Sequence, residues 1–141
     1  MSTISRADSL INGQKKSEFF SDFFNDFTKT PIGNQLGRVT NERSINQSLK
    51  NLIMTNLGER LFQPYIGSNI MSSLFDLNDS ALVTNLEFYI QNTINNNEPR
   101  VNLLSVSVTS PEDYQLEISI YYNIINTPEP VTFSFLLRRV R

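Results

Sequence analysis

The chain has 141 residues, a net charge of −2, and neither cysteine nor histidine. That composition excludes disulfide frameworks, thiolate metal sites, cysteine nucleophiles, Ser-His-Asp triads and histidine-based zinc sites. Its near-neutral charge lacks the basic footprint of a nucleic-acid binder, and no run reaches the ~18–20 apolar residues that cross a bilayer.

Residues 1–18 are polar with scattered charge and read as a flexible N-terminal arm without the apolar core of a secretory signal. A soluble protein made in a cytoplasm is expected, with no cofactor, no metal, no nucleic acid and no membrane partner. In "FFSDFFNDF", Phe19, Phe20, Phe23, Phe24 and Phe27 fall at helical spacing, yet aromatics also favour strands. Pro31 and Gly33 mark a turn, so an amphipathic helix and a hairpin returning through "QLGRV" both fit.

A clearer helix follows in "SINQSLKNLIMTNLG", where Ile45, Leu49, Leu52, Ile53 and Leu57 form one apolar stripe and Gly58 stands where a left-handed cap is wanted. A short second helix is expected at 69–75, using Ile70, Met71, Leu74 and Phe75. The third and longest takes Asn78, Asp79 or Ser80 as N-cap and Leu82, Val83, Leu86, Tyr89, Ile90 and Ile94 as its stripe. It stops in "NNN", before Pro99, which disfavours a helical Glu98.

From Arg100 the apolar period changes from 3.6 towards 2. In "VNLLSVSV", Leu104, Val106 and Val108 share one face and Val101 and Leu103 the other, which calls for a bulge or two-sided burial. "LEISIYYNI" alternates cleanly, with Leu116, Ile118, Ile120, Tyr122 and Ile124 inward. In "VTFSFLL", Val131, Phe133, Phe135 and Leu137 share a face, and the last residues hold a local excess of Arg138, Arg139 and Arg141. The expected architecture is α+β: an arm and an extended or helical segment, about three helices, then an antiparallel meander of at least three strands.

Carboxylates are the remaining route to catalysis, since paired Asp and Glu can hydrolyse glycosides unaided. Glu59 and Glu98 both sit at element ends, but each has an arginine beside it, Arg60 and Arg100, and neither lies in a catalytic motif. Structural ion pairing is the favoured reading for both. The five glycines are scattered and start no phosphate loop, and Tyr121 and Tyr122 are sheet residues before they are base-stacking platforms. The triplet Glu98-Pro99-Arg100 is therefore a catalytic pair, a salt-bridged corner or a docking point.

Two segments carry a resemblance. "INQSLKNLIMTNLGERLFQPYIGSNI" followed by "LF", and "EPR" at the opening of a strand, resemble the "lysozyme-like" baseplate wedge family of contractile phage tails, which has a counterpart in type VI secretion baseplates. "SDFFNDFTKTPIGNQLGRVTNERSI" is similar to the run-up of that family and tilts the aromatic block towards an extended segment. The similarity spans about residues 19–137, implying one wedge domain over 19–141 after the arm. It implies a structural virion protein, not an enzyme, that joins the inner baseplate to the sheath and initiates sheath polymerisation, assembled in the host cytoplasm. By the same resemblance, Glu98, Pro99 and Arg100 dock onto the helical core bundle of other wedge subunits, and Val131, Phe133 and Phe135 lie on the strand whose edge the sheath protein extends. The alternative, which the family label itself suggests, is a peptidoglycan-cleaving enzyme.

Overall fold

Alternation at residues 115–124 builds the centre of the sheet. In the computed structural model, which describes residues 18–31, 33–73, 80–111, 115–127 and 129–138, this segment is the strand β4 (Gln115–Ile124), and its odd and even residues alternate in burial along its whole length. It lies between β3 (Val101–Thr109) and β5 (Pro130–Arg138), antiparallel to both. Leu116, Ile118, Ile120, Tyr122 and Ile124 are buried, as their period of two requires.

The register between β3 and β4 shifts between Leu103 and Ser105, a β-bulge. Val101 pairs with Ile124, Leu103 with Tyr122, Val106 with Ile120 and Val108 with Ile118, so residues of both parities reach the inner face. Leu104 is the extra residue and is exposed, which corrects its expected place beside Val106 and Val108.

Three described helices accompany the sheet. Helix α1 (Glu42–Met54) buries Ile45, Leu49, Leu52 and Ile53, each burial being favourable by about 1.5–3 kcal/mol relative to exposure. It ends at Met54, short of the expected cap: Leu57 is exposed, and Gly58, at φ +87°, lies in the following loop, where its N–H bonds the Pro64 carbonyl. Helix α2 (Ile70–Ser73) buries Ile70, while Leu74, Phe75, Asn78 and Asp79 lie outside the described residues. Helix α3 (Ser80–Asn97) buries Leu86, Ile90 and Ile94 and lies against β3; Tyr89 instead faces out, its ring edge-on to Phe88.

The chain forms two compact units, with the break between Asn41 and Glu42. In the first, β1 (Ser21–Phe23) pairs antiparallel with β2 (Arg38–Thr40), so the aromatic block is a hairpin strand rather than a helix. Gly37 allows the turn to close: a Cβ there would stand 2.6 Å from the Phe24 ring and 3.0 Å from the Thr28 carbonyl.

The loop after α1 is closed at its base by a second glycine. The Ser68 N–H donates to the Thr55 carbonyl at 2.8 Å, and the Ser68 hydroxyl donates to the Ile53 carbonyl. Between them Gly67 holds φ +145°, where a Cβ would lie 2.7 Å from the Thr55 oxygen. Gly67→Ala should therefore lower unfolding free energy by about 2 kcal/mol or more, read by urea denaturation, because strain and clash coincide with backbone that cannot yield.

Candidate functional site

The corner at Glu98-Pro99-Arg100 forms because a helix must stop and a strand must start within a few residues. The Glu98 N–H makes the last helical bond, to the Ile94 carbonyl at 2.9 Å. Pro99 then offers no N–H, and the Val101 N–H closes a β-turn onto the Glu98 carbonyl at 3.3 Å, with proline at the position whose φ it presets. The Arg100 carbonyl accepts from the Ile125 N–H at 3.1 Å, which ties the turn to the end of β4.

The side chains do not both point outward. Arg100 donates to Glu98 in a two-pronged pair, Nε to Oε1 at 2.6 Å and a terminal nitrogen to Oε2 at 2.8 Å. Ser48, from α1, donates its hydroxyl to Oε2 at 2.7 Å. Glu98 is only 4% exposed, whereas Pro99 is exposed and 27% of the Arg100 side chain reaches the surface. Of the readings open for the triplet, the geometry is that of a salt-bridged corner, whose outward features are Pro99 and the rim of Arg100. Burial pushes the Glu98 carboxyl up, but hydrogen bonds from Arg100 and Ser48, with the guanidinium charge, outweigh it and hold it below the ordinary carboxylate value.

Ser48 went unread in the sequence. The available signal was its place next to the stripe of Ile45, Leu49 and Leu52, where a small hydroxyl faces inward. One helical turn from the start of α1, Asn46 accepts a hydrogen bond from the Tyr122 hydroxyl. Burial, with the negative charges of Glu42 and Glu98, drives the Tyr122 phenol well above its ordinary value, so it remains a donor.

The other singled-out acid is also committed. Glu59 accepts from the Asn56 backbone N–H at 2.9 Å and from its side-chain amide at 2.8 Å, and the backbone bond leads in holding its carboxyl below the usual value. It borders an open depression of about 520 Å³ lined also by Arg60, Leu61, Phe62, Gln63 and Tyr65.

Among the described strands, β5 pairs only with β4. Its Val131, Phe133 and Phe135 stand opposite Tyr122, Ile120 and Ile118 on the inner face, yet all three remain half-buried while Leu137 is buried. The Phe133 and Phe135 rings stack at 5.4 Å along the strand. Arg139 and Arg141 lie outside the described residues.

Residues 39–129 match the family model described as baseplate wedge protein gp25, a narrower span than the 19–137 read from the motifs. Baseplate wedge protein gp25 of Enterobacteria phage T4 is 32% identical over 90 residues, which cover 63% of this chain and 68% of that protein. A crystal structure described as a tail lysozyme from Geobacter sulfurreducens superposes with a TM-score of 0.64 at 24% identity, over 71% of this chain and 92% of the other. A chain of the anti-feeding prophage baseplate gives 0.66 at 22% identity, over 78% of this chain and 89% of its own. The post-contraction baseplate of pyocin R2 gives 0.54 at 16%, over 69% and 96%. At these identities the three structures speak to fold alone.

Because Glu98 is buried with its partner, Arg100→Ala should cost about 3–5 kcal/mol at neutral pH, towards the lower end since Arg100 is partly exposed. The depressed Glu98 carboxyl contributes stability that is present at neutral pH and lost as pH falls through its folded value. In the variant the buried carboxylate is left without its cation and protonates more readily. The parent–variant gap should thus narrow as pH falls, and urea melts at neutral and acid pH check it.

Proposed function

Because this chain belongs to the baseplate wedge protein gp25 family, we propose that it joins the inner baseplate to the contractile sheath and starts sheath growth by offering β5 as a template strand. The observation that carries this reading is the condition of β5. An unpaired strand edge presents alternating N–H and C=O groups to which another chain can add. In β5 that edge borders an inner face on which Val131, Phe133 and Phe135 are only half-covered. An added strand would satisfy the backbone groups and shield this apolar strip in one step. A free edge alone is a liability; a free edge beside uncovered phenylalanines is a receptor for a strand.

In the same reading the Glu98–Arg100 corner faces the helical core bundle of neighbouring wedge subunits. The internal pair fixes its shape, exposed Pro99 supplies a rigid apolar contact, and the rim of Arg100 supplies a donor for a partner carboxylate. Docking then uses the corner as a shaped unit rather than as two separate charges. Such a protein works in the virion baseplate.

The alternative, peptidoglycan cleavage, asks for a general acid whose carboxyl stays protonated near neutrality. Glu98 and Glu59 are both shifted the other way, and their oxygens are bound by Arg100, Ser48 and Asn56. Purified protein should release no soluble fragments from peptidoglycan, and turnover abolished by Glu98→Gln or Glu59→Gln would establish the enzymatic reading instead.

Ser134→Pro removes one backbone donor from β5 while sparing the face of Val131, Phe133, Phe135 and Leu137. With a melting curve to check that the fold survives, this variant should enter wedges with its cognate subunits but support few sheaths by electron microscopy. Sheaths of normal number and length would place the template on another strand.

A further inference from the structure

The loop between α1 and α2 has an exposure pattern that neither the corner nor β5 explains. Leu61 is 91% exposed, Phe62 95% and Tyr65 72%, with exposed Leu57 beside them in the chain. Scattered apolar side chains on a surface are ordinary, but a contiguous group marks a contact site.

These side chains stand on a loop braced by several of its own backbone hydrogen bonds. The Gly58 N–H bonds the Pro64 carbonyl at 2.8 Å, the Gln63 N–H the Arg60 carbonyl at 3.3 Å, and the Ile66 N–H the Gln63 carbonyl at 3.1 Å. Glu59 turns back onto Asn56, and Gly67 and Ser68 lock the base. A slack loop would fold Leu61 and Phe62 beneath itself. This one is braced, so little ordering entropy remains to be lost when the tip is covered.

We propose that residues 57–65 are a docking knob for another baseplate wedge subunit, with Leu61 and Phe62 filling an apolar cleft on that subunit and Arg60 pairing with an acidic residue on its rim. The proposal rests on the wedge reading above. Charge selects the occupant. The Glu59 carboxylate is taken by Asn56, and the Arg60 side chain has no partner among the described residues, so the knob presents apolar surface plus one cation. A second copy meeting it face to face would set Arg60 against Arg60 with no available carboxylate between them. Area argues the same way. Leu61, Phe62 and Tyr65 together offer roughly 400–600 Å², short of the ~800 Å² per partner of a standard stable interface. Such a patch suits a subunit gripped at several faces, not a dimer standing on this contact alone.

The test mixes purified full-length chain with its purified cognate wedge subunits and measures their affinity. Leu61→Ser/Phe62→Ser should weaken association roughly tenfold or more, and Arg60→Glu should weaken it as well. Melting temperatures should stay at the parental value, since neither apolar tip is buried. A double variant that binds as well as the parent overturns the knob while leaving the wedge reading intact; a parent that fails to bind overturns both. A drop in melting temperature with unchanged binding of the folded fraction shows an internal packing role and also overturns it. Phe62→p-benzoylphenylalanine identifies the occupant: a photo-crosslink to a wedge subunit supports the proposal, whereas one to a second copy, to the sheath protein or to none of them refutes it.

Discussion

One carboxylate holds the second unit to its shape. Glu98 sits where α3 ends and β3 begins, and its oxygens receive Arg100 from the start of the strand and Ser48 from α1. A buried carboxylate without partners is costly, so the positions of helix, turn and strand are coupled through its need for donors. The pair yields little net stability compared with an apolar substitute of the same shape. What it supplies is geometry: α1 cannot slide relative to the corner without exposing a charge to a dry interior. Tyr122 extends this coupling by donating from β4 to Asn46 on the same helix.

That coupling also bears on the outer strand. Helix α3 lies against β3, and α1 approaches β5. The inner-face residues of β4 are buried without exception, while their partners on β5 are half-covered until Leu137. Central β4 has a strand on either side, whereas β5 has a described neighbour on one side only. A protein whose work is assembly can keep such surface, provided that the surface is satisfied in the finished particle.

Much of this was legible from periodicity. The stripes Ile45–Leu49–Leu52–Ile53 and Leu86–Ile90–Ile94, the alternation of β4 and the three-stranded meander follow from spacings of 3.6 and 2, whereas in β3 the spacing left a bulge and two-sided burial both open. Errors fell where a local pattern outran its element. Leu57 continued the helical stripe in register, yet the chain had already turned at Thr55, because the closure onto Ser68 is a contact across the loop that spacing cannot encode. Tyr89 fitted the stripe but its ring lies outside it, against Phe88. At the corner, composition named the residues and not their directions. Whether two charges flanking a proline face outward or each other depends on Ser48, fifty residues away in sequence, and on how much water the packed helices exclude.

The bulge at Leu104 has a consequence for the corner. Helix and strand count residues differently, and the strand's count fixes which way every side chain before it must face. Val101 and Val106 are separated by an odd number of steps, yet both meet the core, because Leu104 absorbs the surplus. Were Leu104 kept but the pairing made regular, the strand upstream of it would turn over by half a revolution, sending Val101 outward and Arg100 to the opposite side of the turn. The single surplus residue thus acts as a phase shifter between a helical and a pleated half of the fold. The orientation of the Glu98–Arg100 corner is tied to a residue further along the strand that takes no part in the ion pair.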